Sequence, residues 1–184
     1  QSYWSTEIRE FGALEVYKRL LNEGYDPVRF QKLIARVKKV DLDSLDEEID
    51  KVGANFITPE SAIWPLSLND LSAPPIGLVA KGDLSALSER SLAIVGTRRA
   101  TRYGIDVANE FARELSLAGV SVLSGLALGI DGAAHAGALA VEGAPPIAVV
   151  GSGLDRIYPR AHRALWRAVA ERGVVLSEYP LGAP

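Results

Sequence analysis

Three segments of this sequence combine glycine with side chains able to grip an anion: GTRRATRYG at residues 96–104, SGLALGID at 124–131 and GSGLDRIYP at 151–159. Glycine lets a backbone come close to a ligand, and the open N–H groups where a helix begins favour negative charge. Phosphate is the ligand this chemistry selects. The first segment carries Arg98, Arg99 and Arg102, and the third is bordered by Arg156, Arg160, His162 and Arg163. A guanidinium holds phosphate oxygens through two parallel bonds, so the two clusters would make a basic pocket if the fold joined them. Left apart, the same arginines would be solvated partners of acids such as Asp106 and Asp155. Both outcomes stay open at this level.

Catalytic patterns fail on the same loops. The dinucleotide fingerprint G-x-G-x-x-G breaks at Arg156, which stands where the third glycine after Gly151 and Gly153 should be. A phosphate-binding P-loop needs lysine, and none follows Lys81; a nucleophile elbow around Ser124 would need glycine where Val122 stands. Ser124, Asp131 and His135 lie close together in the chain, but nothing in their spacing brings the serine to the other two. Asp131 is expected to cap a helix and His135 to pack inside one. Glu178 follows a strand and would hold a ribose or close a turn. Tyr103, Tyr158 and Tyr179 flank the loops, where they would stack on bases or pack against their own helices. With no cysteine and only His135 and His162 as imidazoles, a thiolate nucleophile, a disulfide framework and a structural zinc site are excluded. No metal and no cofactor is expected.

The elements that must carry these loops are legible as hydrophobic runs. LAIV at 92–95, VSVL at 120–123, IAVV at 147–150 and VVLS at 174–177 are unbroken by polar alternation, as in strands buried on both faces, and IGLVA at 76–80 is a further short strand. Between them, Ala108, Phe111, Ala112 and Leu115 recur at helical spacing up to Gly119. A small-residue helix follows from about Gly132 to Ala140, and AHRALWRAVAERG ends a third at Gly173. Strands alternating with helices predict an α/β domain with a doubly wound parallel sheet and helices on both faces, its ligand lying beyond the carboxyl ends of the strands.

Upstream, residues 1–55 read as a helical domain. Ile8, Phe11, Leu14, Val16 and Leu20 mark one helix. Asp26-Pro27 then starts another with Phe30, Leu33, Ile34 and Val37 on its apolar stripe, and Ser44 with Glu47 sets a capping box for a third that ends at Gly53. Lys32, Arg36, Lys38 and Lys39 form a basic face there, solvated or able to bind duplex DNA. Residues 56–75, with Pro59, Pro65, Pro74 and Pro75, read as an ordered connector on which Trp64 packs, and residues 76–184 as the α/β domain.

The chain of 184 residues, 48% hydrophobic with a mean hydropathy of +0.10, has enough apolar surface for such a core. No run approaches a bilayer span and the start lacks a secretory signal, which places the protein in the cytoplasm. A first residue of Gln and the absence of methionine imply that the natural start is missing. The net charge of −3 argues against global attraction to nucleic acid, but it is uneven: residues 1–90 hold 11 basic against 15 acidic side chains, residues 91–184 hold 9 against 8. Affinity for a polyanion must therefore come from local clustering.

Taken in order, IVGTRRATRYG, VLSGLALGIDGAAHAGAL, IAVVGSGLDRIYPRAHRAL and VVLSEYPLGAP resemble the DNA-processing protein A family, also called Smf. ITPESAIWPLSLNDLSAPPIGLVAKGDL is similar to its lead-in. The resemblance implies a Rossmann-like domain preceded by a small sterile-alpha-motif-like helical domain. It also implies a non-enzymatic protein of natural transformation and competence that binds single-stranded DNA, protects it, helps load a RecA-type recombinase and forms a homodimer. Gly96, Thr97 and Arg98 match the family's Gly-Ser-Arg motif, whose arginine contacts phosphate. Ser124 and Gly125 match its second loop, Gly151 and Ser152 its third, and Arg160 and Arg163 the basic residues after its Tyr-Pro; Arg99 stands beside the first. Leu128 departs from the pattern, since many members carry lysine or arginine there, and the sequence stops at SEYPLGAP, before the family's Arg-Asn-Arg stretch. The rival reading is a nucleotide-handling enzyme such as a phosphoribohydrolase, although the P-G-G-x-G-T-x-x-E signature of that class is absent.

Overall fold

The computed structural model describes residues 42–184. The first two expected helices, with Lys32, Arg36, Lys38 and Lys39, lie outside the described residues. Of those described, Leu42–Glu48 and Leu66–Ile76 belong to one compact unit, and Ile49–Pro65 with Gly77–Pro184 to another. Helix α1 (Leu42–Lys51) begins two residues before the expected Ser44, and the first unit also holds a 3-10 turn at Leu66–Asp70.

The second unit is built on six strands: β1 (Asn55–Ile57), β2 (Leu78–Gly82), β3 (Ser91–Ala93), β4 (Ser121–Ser124), β5 (Ile147–Val149) and β6 (Val174–Ser177). They lie in the order β1-β2-β6-β5-β4-β3. Strands β3 to β6 are parallel, in register Leu92 with Val122, Leu123 with Ile147 and Ala148 with Val175. At the other end β2 runs antiparallel to β6, and β1 antiparallel to β2.

This mixed sheet corrects the expectation of a doubly wound, all-parallel one. A parallel crossover needs a dozen or more residues, whereas β2 and β3 are joined by residues 83–90 with only a 3-10 turn at Leu84–Ser88. Because β2 runs opposite to β3, its end and the start of β3 lie on the same sheet edge, and the short linker suffices. The parallel strands also follow one another in chain order, with no reversal of direction among the described residues. Crossovers of one hand then put every helix that joins two parallel strands on the same face. Helices α2 (Arg102–Leu117), α3 (Ile130–Leu139) and α4 (Arg163–Arg172) accordingly pack side by side, α3 against both neighbours. Strands β3 to β6 and these three helices form consecutive β-α-β units as in a Rossmann-like half, with one strand and one helix beyond its β-α-β-α-β. Residues 56 and 57, expected in a connector, instead belong to β1.

The core lies between this helical layer and the sheet. Val122 meets Ala112, Ala134 and Ala138 of α2 and α3, with Ile94 and Leu115 at the margin. Val79, Ala148 and Val175 meet Trp166 and Val169 of α4, together with Leu126, Val150 and Leu154 from the loops above. Each large side chain fully buried this way contributes roughly 1.5–3 kcal/mol. Trp64 is buried, as expected. The guanidinium of Arg172 donates to the carbonyls of Leu139 and Val141, both at 2.6 Å, which satisfies open groups at the end of α3 and fixes α4 against it. No helix among the described residues is long and apolar enough to cross a membrane.

Candidate functional site

Since β3 to β6 are parallel, the loops that follow them gather on one edge. Arg98 from the first loop, Gly125 and Ala127 from the second, and Gly151, Ser152, Asp155, Arg156, Tyr158, Arg160 and Arg163 from the third onward line one cleft of about 850 Å³. Four arginines face one aspartate in that lining, so the cleft is a positive spot on an acidic chain.

The first loop turns sharply and splits its cations. Thr97 Oγ1 accepts the Arg99 N–H at 3.2 Å, and Thr101 caps α2 by accepting the Gly104 N–H at 3.1 Å. Arg102 pairs with Asp106 one helical turn on, at 2.9 Å, both side chains largely exposed. An exposed pair of this kind adds at most a few tenths of a kcal/mol to about 1 kcal/mol. Arg98 goes to the cleft, Arg102 to its own helix, and Arg99 is exposed without lining the cleft. In the third loop Arg156 lies 3.6 Å from Asp155 and still lines the cleft.

The other sequence-matched positions serve the loops from within. Ser124 is buried and its Oγ donates to the Ile94 carbonyl at 2.6 Å. Gly96 and Gly125 give their N–H groups to Asp131, at 3.3 Å to Oδ1 and 3.2 Å to Oδ2. These two amides therefore already hold a carboxylate. Ser152 is buried but lines the cleft; its Oγ donates to the Arg156 carbonyl at 3.0 Å and its own carbonyl accepts from Ser177 Oγ at 2.8 Å. Among the described residues the Gly151 N–H finds no acceptor, so the third loop offers the open backbone.

Asp131 does not cap α3 as expected. The cap position is Gly129, with φ +82°, and a side chain there would collide with the Thr97 and Arg98 backbone. Asp131 instead sits in the first turn, 7% exposed, bridging two loops. His135, one turn further, is fully buried and neither ring nitrogen has a full hydrogen bond among the described residues. Burial pushes its pKa down to about 4, a drop that His162 deepens and that the Ser124 backbone and the Asp131 carboxylate only partly oppose. Ser124, Asp131 and His135 thus form no catalytic relay. His162, counted with the basic residues in the sequence, spends its Nδ1–H on the Leu126 carbonyl at 2.9 Å. No local pattern announced the Gly96–Asp131 contact or this bond, because each joins residues about 35 positions apart in the chain.

Residues 180–184 close one side of the cleft. The Gly153 N–H donates to the Ala183 carbonyl at 3.1 Å, Asp155 Oδ1 accepts the Gly182 N–H at 2.8 Å, and Pro184 joins the lining. Tyr158 lines the cleft and is 67% exposed; Tyr103 and Tyr179 are exposed elsewhere.

The family model of DNA recombination-mediator protein A matches residues 55–184. Protein Smf of Synechocystis sp. is 34% identical over 165 residues, covering 88% of this chain and 41% of the relative, so the chain spans about two-fifths of that protein. The X-ray structure of DNA processing protein A from Streptococcus pneumoniae superposes with a TM-score of 0.74 at 32% identity, over 82% of this chain and 52% of that one. DNA processing protein A from Helicobacter pylori, a structure concerned with that protein's single-stranded DNA binding mode, gives a TM-score of 0.64 at 33% identity over 72% and 60%. On the family match over residues 55–184 and this kinship, the chain, whose own glycine loops meet on one sheet edge, belongs to the DNA recombination-mediator protein A family.

Proposed function

We propose that this chain is the DNA-gripping part of a cytoplasmic recombination mediator that acts on single-stranded DNA without catalysing a reaction on it. In that role it protects incoming strands during natural transformation in competent cells, helps load a RecA-type recombinase and works as a homodimer. The supporting observation is the convergence of Arg98, Arg160 and Arg163 on the open third loop at Gly151 and Ser152. Phosphates rest on that loop under the three guanidinium groups, with Arg99 on the approach. Gly96, Thr97, Ser124 and Gly125 hold the first two loops in shape. Contacts to the backbone carry no base information, so sequence preference is slight.

Filter binding with single- and double-stranded oligonucleotides at several salt concentrations tests this. The expected result is tighter binding of the single strand, weakening steadily as salt rises. Equal affinity for both forms, or affinity indifferent to salt, refutes it.

A further inference from the structure

Asp131 holds the two amides that the glycine loops would otherwise offer to an external anion. Its two oxygens take the N–H groups of Gly96 and Gly125, which open the loops after adjacent strands, and a Cβ at Gly125 would stand 2.8 Å from Oδ2. The carboxylate is buried in the first turn of α3, where a helix favours negative charge. Around it, the Ile130 N–H donates to the Thr97 carbonyl at 3.3 Å. The residue before Arg98 thus rests on the start of α3, and Gly96 is clamped by the next residue of the same turn, Asp131. The first loop is otherwise exposed from Gly96 to Arg99.

We propose that Asp131 is a positioning residue that acts as a built-in stand-in for a phosphate. It fills the amide cradle between the first two loops, sets where Arg98 meets the third loop, and by its charge turns the strand's phosphates away from that cradle toward Gly151 and Ser152. This rests on the single-stranded DNA reading above.

The test uses the whole chain, a fluorescein-labelled oligo-dT, and formate or formamide added at constant ionic strength. Asp131→Ala is expected to weaken DNA binding about ten-fold, the size of one charge-assisted hydrogen bond. Formate, which restores the missing anion, recovers most of the loss; formamide, of the same shape but neutral, does not. In amide-resolved NMR, formate moves the Gly96 and Gly125 signals in Asp131→Ala and leaves them still in the parent chain. A role limited to packing would be rescued by both additives or by neither, and that outcome overturns the proposal. Should Asp131→Ala not fold, Asp131→Asn keeps the shape and loses the charge. Loss of affinity in that folded variant supports the proposal, and affinity equal to the parent's overturns it. If the parent chain itself ignores oligo-dT, the DNA reading fails, while the formate response in the NMR spectra still decides whether Asp131 fills the cradle.

Discussion

His162 donates its Nδ1–H to the carbonyl of Leu126 at 2.9 Å, joining the entry to α4 with the second glycine loop. Leu126 is fully buried and adopts φ +57°, a conformation that leucine takes only when its surroundings impose it. His162→Ala leaves that carbonyl without its donor and is expected to cost about 1–2 kcal/mol, while His162→Asn, whose amide reaches a similar point, costs less. Urea denaturation of the two variants beside the parent checks the order.

His135 makes stability depend on pH. Its ordinary value of 6.5 applies in the unfolded chain, and about 4 in the folded one, so between these limits the unfolded chain binds more protons. The contribution is complete above pH 6.5, declines as pH falls toward 4, and changes no further below. At about 1.36 kcal/mol per pKa unit the loss is on the order of 3 kcal/mol. Denaturation midpoints between pH 7.5 and 4 should fall for the parent and flatten for His135→Leu; parallel curves would contradict the assignment.

Arg98 and Arg102 stand four residues apart and should behave differently, because only Arg98 lines the cleft. Arg98→Ala is expected to weaken single-strand binding and to lower the slope of log affinity against log salt by about 0.7, one phosphate contact. Arg102→Ala, which breaks an exposed pair, should change neither. Salt titrations of both variants decide.

Tyr158 lines the cleft together with Arg160 and is largely exposed. If a base stacks there, Tyr158→Ala loses about 1–3 kcal/mol of binding and Tyr158→Phe keeps it, with no change in salt slope. Equal loss in both variants would assign the hydroxyl rather than the ring.

Leu128 is 44% exposed on the second loop, next to Ala127, which lines the cleft. Leu128→Lys should raise affinity at low salt and steepen the salt dependence by about 0.7. An unchanged slope would show that this side of the loop faces away from the DNA.

Strands β4 to β6 were legible because buried parallel strands need apolar runs without alternation; β3 was found by the same kind of run but, contrary to the expectation of burial on both faces, lies exposed at the sheet edge, and the observed limits of all four differ from the runs by only a residue or two. Strand β1 was not, since three residues with Phe56 half exposed carry no period. The direction of β2 was hidden for another reason: it depends on which strand it pairs with, and IGLVA reads alike either way. Among the arginines, the Arg102–Asp106 pair follows from helical spacing alone. That Arg98 rather than Arg99 enters the cleft depends on how the turn is twisted by Gly129 and Asp131, more than thirty residues away.

The short strap from Pro180 to Pro184 carries a practical corollary. Because Gly153 and Asp155 pin it and Pro184 borders the cleft, an affinity tag or reporter fused directly after residue 184 would emerge in the mouth of the cleft itself. Such a fusion would compete with nucleic acid for space, and labels for binding work belong instead at the linker of residues 83–90, on the opposite rim of the sheet.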